Sequence, residues 1–350
     1  MDRRTFLKTT TAAAGSSLAV SAVAGQAVAA TPEITAPALN TGMAELAFST
    51  PWTADEPVRG DAAGRLVARL KQTLGDRYFI RQVDDAAEAD LTFALHDADA
   101  DLGFAFFGGL PGSFGLDPAF LQAWIAVGGG QILWDDLAAQ HGWKPLLAGH
   151  TGARPGLWAS RSLADIRDLE GGSVVLAAGT PLARLLGVRD AAPTSASDIF
   201  QRLGDGHLTA VEWGNPLTGL VAGWAQTARY FYRGGIHRHG RSSILNVRLS
   251  LWERLQHSER LALEGLAAHE LSLALAEAIA HERLAAEALA RSETLGIHDL
   301  PSALTADLNR VAAAYVEEAG AASRSAAHIR DSYLAFRVQI GEPELPFPTA

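Results

Sequence analysis

Leu146–Arg161, LLAGHTGARPGLWASR, and Ala210–Pro216, AVEWGNP, are the two stretches whose joint reading decides the fold. In the first, an apolar pair runs into a Gly-rich turn that carries His150, Thr151, Arg154 and Trp158. In the second, a buried strand ends on a carboxylate and an indole, Glu212 and Trp213. Glycines at 149, 152 and 156 let the backbone approach a small ligand closely, while an Arg beside a Trp offers a planar fork and a flat wall. A pocket for a small anion requires these parts. The plainer reading is an αβ connection with an exposed Arg and a core Trp.

On either side of these stretches, short apolar runs alternate with helical periodicity. Ala44–Ser49 reads as a strand, Ala63–Leu74 as a helix stopped at Gly75, and Tyr78–Val83 as a second strand. That β-α-β rhythm predicts a parallel sheet with helices packed on it. Ala89–Phe107 resists placement, because Asp97, Asp99 and Asp101 split it into two apolar patches; the spacing lacks the Gly and Glu of a calcium loop and reads as a solvated turn. Helices are expected at 118–127, 131–140, 162–169, 196–203 and 216–230, and strands at 173–178, 208–213 and 243–248. From Ser258 to about Arg291 no Gly or Pro follows Gly265, so a long helix is expected, with two more at 302–319 and 323–336. Such helices brace two lobes or pack against a second subunit.

A chain of 350 residues, 48% hydrophobic and 19% charged, fits two modest folded domains. With 29 basic against 39 acidic residues it lacks the basic surface that phosphate binding demands, so nucleic acid is not an expected partner. The lack of any Cys excludes disulfides, thiolate metal sites and a Cys nucleophile. Residues 1–29 open with Arg3-Arg4-Thr5-Phe6-Leu7-Lys8 and close on Ala27-Val28-Ala29, the pattern of a twin-arginine export signal. A periplasmic location is therefore expected. His237-Arg238-His239 offers two imidazoles, with Glu212 as a third metal ligand, but the plainer reading is surface histidines.

Seven segments resemble one family in serial order: Ala123–Trp134, AWIAVGGGQILW; Ala148–Gly152, AGHTG; Gly156–Trp158, GLW; Asp168–Gly171, DLEG; Ser197–Trp213, SDIFQRLGDGHLTAVEW; Ala228–Gly235, ARYFYRGG; and Asp331–Arg337, DSYLAFR. The chain resembles the DctP-type solute-binding subunits of tripartite ATP-independent periplasmic (TRAP) transporters, in the branch similar to 2-oxo acid binders. The resemblance implies an α/β, two-lobed periplasmic solute-binding fold with a long helix spanning both lobes, followed by C-terminal helices. It implies lobe 1 over 40–153 and 243–257, lobe 2 over 154–242, and the spanning and C-terminal helices over 258–340. It also implies capture of a small organic acid, a 2-oxo or 2-hydroxy carboxylate, for small and large membrane subunits, with no catalysis, and a homodimer through the C-terminal helices is a further expectation.

Carried over residue by residue, the family pattern is partly met. Glu212 and Trp213 stand as the pair that helps hold substrate and a bridging Na⁺ or Ca²⁺, with Glu212 the metal ligand. Arg154 stands where the family usually has Gln, Val175 where it has a carboxylate-clamping Arg, and Arg238 where it has an acidic or amide residue. These exchanges suggest a transposed clamp in which Arg154 binds the acid, Glu212 orients Arg154, Trp158 and Trp213 wall the site, and His150 and Arg238 complete it. The competing accounts are a drifted pocket for an uncharged solute, or an exported sensor or enzyme subunit on the same scaffold.

Overall fold

The first apolar runs fold as their spacing dictates. β1 (Ala44–Ser49) buries its last four residues, α1 (Arg59–Leu74) turns Ala63, Leu66, Val67, Leu70 and Leu74 inward at helical spacing, and β2 (Tyr78–Gln82) returns parallel to β1. The unplaced LTFAL run is β3 (Leu91–Leu95), parallel to β1 on its other side. α2 (Pro118–Ala126) is capped by Asp117 and broken from α3 (Gly130–Ala139) at Gly129, whose φ of 87° is left-handed. β4 (Trp143–His150) follows. The computed structural model describes residues 43–54, 56, 58–96, 100–152, 156–176, 180–191 and 195–341; the expected leader, Asp97, Asp99 and Arg154 lie outside them.

The second half of the core is built from shorter pieces: β5 (Gly156–Ala159), β6 (Ser173–Val175), β7 (Arg189–Asp190), α4 (Ala196–Gly204), β8 (Ala210–Val211), α5 (Pro216–Val221) and β9 (Tyr230–Arg233). Two expectations are corrected here. The helix over 216–230 ends at Val221 ahead of Gly223, φ 80°, and its aromatic end is β9, because Tyr230, Phe231 and Tyr232 pack better on a pleated surface than on a helix. The helix over 162–169 shrinks to one 3₁₀ turn at Ile166–Asp168, which Asp165 caps.

β10 (Ser242–Arg248) crosses back, α6 (His257–Leu289) is a 33-residue helix, and β11 (Gly296–Asp299), which the sequence pattern did not announce, precedes α7 (Ser302–Ala321) and α8 (Arg324–Gln339). The strands form two sheets, ordered β2-β1-β3-β10-β4 and β11-β9-β5-β8-β6-β7. β10 lies antiparallel between β3 and β4, and its register shifts at Ser243/Ile244, where the pairing runs from Gly149 to Leu147 and leaves Ala148 over. β11 joins the second sheet parallel to β9, so the C-terminal third supplies a strand as well as helices.

The two lobes share apolar packing. One buried cluster holds Leu147 and Ile244 of the first sheet, Leu157, Val174 and Tyr232 of the second, and Leu308 and Tyr333 of α7 and α8. α6 runs along β4, α1 and α5, about 50 Å from end to end at 1.5 Å per residue. Its fully buried Glu270 accepts from Arg65 Nη2 of α1 at 2.6 Å and Nε at 3.2 Å, and Arg65 Nη2 also reaches Glu277 at 2.9 Å. No helix among the described residues is long and apolar enough to cross a membrane.

Gly219 of α5 faces two buried indoles. A Cβ there would stand 2.7 Å from Trp158 Cε2 and Nε1 and 2.7 Å from Trp224 Cε3, neither of which can withdraw. Gly219→Ala is expected to lower stability by about 1–3 kcal/mol through overpacking. A fall in the urea midpoint at unchanged m-value is the measurement that checks it.

Candidate functional site

A cleft opens where the two sheets and α6 meet. The first lobe contributes Trp52, Arg59, Phe93, Ala148–Thr151 and Ser243, the second contributes Gly214, Asn215 and Thr218, and α6 contributes Glu270, Ala274, Glu277, Ala278 and His281. The left-over Ala148 in the β4/β10 pairing lies in this lining, so the irregularity re-aims the end of β4 at the cleft.

Arg59 is the feature that sequence reading missed. It begins α1 on the stripe continued by Ala63, Leu66, Leu70 and Leu74, so the periodicity that marks the helix's inner face also points this guanidinium inward. It is 8% exposed, and its charge centre lies 4.4 Å from the Trp213 ring and 5.9 Å from the Trp52 ring. Glu56 Oε1 comes within 3.2 Å of Nε, but out of hydrogen-bond alignment, and Nε and Nη2 have no hydrogen-bond partner. Burial lowers the guanidinium pKa to about 10, with Glu56 opposing and Arg241 adding to the fall; the group remains a cation at neutral pH. The preceding Val58 sits at φ 71°, a left-handed conformation that a β-branched residue rarely takes and that is characteristic of strained functional positions.

His150, at the end of β4, is buried, and its Nδ1 accepts from Gly152 N at 3.1 Å. Burial, with His239 and Arg241 nearby, lowers its pKa to about 3, so the ring is neutral and its proton sits on Nε2. That Nε2–H has no partner, and neither has Nε1–H of Trp213. The buried Glu270 Oε2 is an unpartnered acceptor in the lining, while Oε1 of the same carboxylate is held by Arg65. Asn215 is oriented: its Oδ1 accepts from Thr218 N at 3.1 Å, which leaves Nδ2 to donate to His281 Nδ1 at 3.3 Å.

Of the residues named from sequence, His150 lines the cleft and Trp213 lies under Arg59. Glu212 directly follows β8, and both its carboxylate oxygens accept from His237, from its backbone N at 3.0 and 3.3 Å and from Nδ1 at 3.2 Å. Trp158 does not wall the cleft. It packs edge-on to Trp224 and Phe231 in the core of the second lobe, because β5 is a central strand whose residues are all buried. Val175 belongs to that core too. Arg238 is exposed and does not line the cleft. Arg154 lies outside the described residues.

No protein-family model matches the chain. The monocarboxylate 2-oxoacid-binding periplasmic protein of Nostoc sp. strain PCC 7120 is 28% identical over 200 residues, 55% of this chain and 51% of that one; the chain thus spans about half the length of the curated relative it matches. A TRAP transporter solute-binding protein from Bordetella bronchiseptica RB50 superposes with a TM-score of 0.76 at 20% identity, covering 85% of this chain and 93% of that one. It is described as a mixed-occupancy dimer with copurified calcium and picolinate in one site. A TRAP solute-binding protein from Colwellia psychrerythraea, with bound calcium and pyruvate, gives 0.74 at 18% identity, over 85% and 95% of the two chains. The chain has the two-lobed fold of the TRAP solute-binding proteins.

Within that TRAP fold, the described residues do not suit a bridging cation. Both Glu212 oxygens are taken by His237, and the indole beside it carries a guanidinium on its face. Among the described residues no three His, Asp or Glu side chains are grouped to hold a metal.

The histidines of this TRAP-type fold set its response to acid. His150, His96 and His281 all have pKa values below the ordinary one, chiefly from burial, so the unfolded chain binds their protons more tightly than the folded one. Stability from their neutrality is complete above about pH 6.5 and is lost as pH falls toward the folded value, which is about 3 for His150. His150 alone should contribute a slope approaching about 1.4 kcal/mol per pH unit in that window. Urea midpoints taken between about pH 6.5 and 4.5 should fall in the parent and fall less in His150→Gln.

Proposed function

We propose that the protein is a periplasmic receptor that captures a small monocarboxylate, a 2-oxo or 2-hydroxy acid, and delivers it to the small and large membrane subunits of a TRAP-type transporter. The observation that carries this reading is the chemistry of the cleft. It lies between two lobes and gathers a buried guanidinium and a buried imidazole N–H whose Nε, Nη2 and Nε2 atoms make no hydrogen bond among the described residues. An acceptor-rich anion completes both. An uncharged solute would leave Glu56 as the carboxylate beside the guanidinium, without a hydrogen bond to Nε, and this disfavours the drifted-pocket account.

The similar proteins support the same class of ligand: one is named for monocarboxylate 2-oxo acids, and two are described with picolinate or pyruvate. The reading includes no catalysis. The export leader at 1–29 supplies the route to the periplasm, and the long C-terminal helices are the proposed face for a second copy.

Thermal-shift titration against pyruvate, lactate, pyroglutamate and 2-oxobutyrate is the test. A true ligand at 100 times its dissociation constant should stabilise by about 2.7 kcal/mol, and no shift with any small carboxylate would end the reading. If a guanidinium rather than a metal ion meets the carboxylate, pyruvate affinity should change by less than about twofold when Na⁺ is replaced by choline and Ca²⁺ is chelated; a tenfold loss, about 1.4 kcal/mol, would restore the cation.

A further inference from the structure

We propose that Arg59, on the first turn of α1, receives the carboxylate of the solute and that the Nε2–H of His150 receives the oxygen on the adjacent carbon. This assignment rests on the monocarboxylate reading and specifies which groups of this chain recognise the acid.

Three observations converge on Arg59. It is the one Arg or Lys among the described residues that line the cleft. It is 8% exposed, yet Nε and Nη2 donate to nothing. The Trp213 ring, 4.4 Å from the guanidinium carbon, holds it through a face contact that does not use the in-plane N–H edge, beside which Glu56 Oε1 stands 3.2 Å from Nε. A buried cation with a stacked face and an unsatisfied edge is preorganised for a planar, bidentate anion, which a lysine in its place could not match.

His150 adds the second point. Its tautomer is fixed because Gly152 N–H occupies Nδ1, so Nε2 of this cleft-lining residue is a donor without a hydrogen-bond partner. Two separate donors, one cationic and one neutral, describe a molecule with a carboxylate and a further acceptor. A 2-oxo acid is the smallest that has both. Phe93 and Trp52, 5.0 Å apart edge to face, give the apolar surface for its alkyl end.

The assignment also links the ligand to the two lobes. Arg59 and His150 stand on α1 and β4 of the first lobe, while Trp213 follows β8 of the second. The guanidinium that receives the acid is therefore held from the first lobe against an indole of the second.

Isothermal titration of the purified protein with pyruvate, pyruvamide and propionate separates the contributions. Arg59→Gln should weaken pyruvate by about tenfold to a hundredfold, the range for a lost charge-assisted pair, while pyruvamide changes little, so the preference for acid over amide collapses. Arg59→Lys, which keeps the charge without the fork, should fall between, and it carries the test if the Gln variant does not fold by circular dichroism. His150→Phe should erase the preference for pyruvate over propionate and leave the preference for acid over amide. Retention of the acid-over-amide preference in Arg59→Gln would overturn the assignment, as would its loss in Arg154→Gln alone. If the parent binds pyruvate and the Arg59 variants are unaffected, this assignment falls and the monocarboxylate reading stands; if the parent binds no carboxylate, both fall.

Discussion

Taking a guanidinium out of water costs several kcal/mol unless something returns the lost hydration, and in this chain that cost is incurred at the mouth of α1. Arg59 recovers part of it from the Trp213 face, from Trp52 and from the charge of Glu56, but Nε and Nη2 remain without bonds. Its surroundings are arranged to keep it there. Val58 takes a left-handed conformation immediately before it, and Gly214, itself at φ 65°, has no side chain to crowd Nη2: a Cβ at that position would lie 3.4 Å from it. Local strain and a desolvated cation meet at one point of the fold, the pattern expected where stability has been traded for recognition.

The frame that holds this point in place depends on a second buried ion, Glu270. It is fully buried on α6, and Arg65 of α1 gives it two hydrogen bonds, so the long helix and the helix that bears Arg59 are pinned together at the wall of the cleft. The same face of α6 then passes Ala274 and Ala278, which are small enough for the cleft to open above them, and reaches His281, which meets Asn215 of the second lobe. α6 therefore touches the first lobe through a charge pair and the second through a neutral hydrogen bond. The first contact is the harder to break, because separating a buried pair leaves an uncompensated charge.

Much of this was legible in the residues. The β-α-β opening and the long Ala/Leu helix stand where the pattern put them, the Glu-Trp pair directly follows β8, and His150 closes β4 beside the cleft. Trp158 was misassigned because periodicity shows that a residue is buried but not which side of its sheet it faces, and here it faces Trp224 rather than the cleft. β11 escaped because GIHD has no alternation; its pairing with β9 alone makes it a strand. Arg59 escaped for a different reason. It stands one turn before Ala63, where the expected helix begins, so the apolar stripe that points it inward does not reach it in that reading. Two positions of that clamp reading, Val175 and Trp158, share a core that leaves no room for a charge at that strand end.

The geometry also bears on how a ligand closes such a cleft. The shared apolar cluster joins both sheets away from the site, so the lobes can part at the cleft while that packing persists. Parting would lift Trp213 from Arg59 and let water reach the guanidinium, which favours the open form of the empty protein. Closing reverses both, and without an anion it leaves Nε and Nη2 buried and unbonded. A carboxylate between them removes that penalty in the closed form alone, and a ligand shifts a two-state equilibrium only by its difference in affinity for the two states. On the proposed assignment, the incomplete hydrogen bonding of one arginine couples occupancy to closure, and solutes that lack the negative charge bind without closing the lobes.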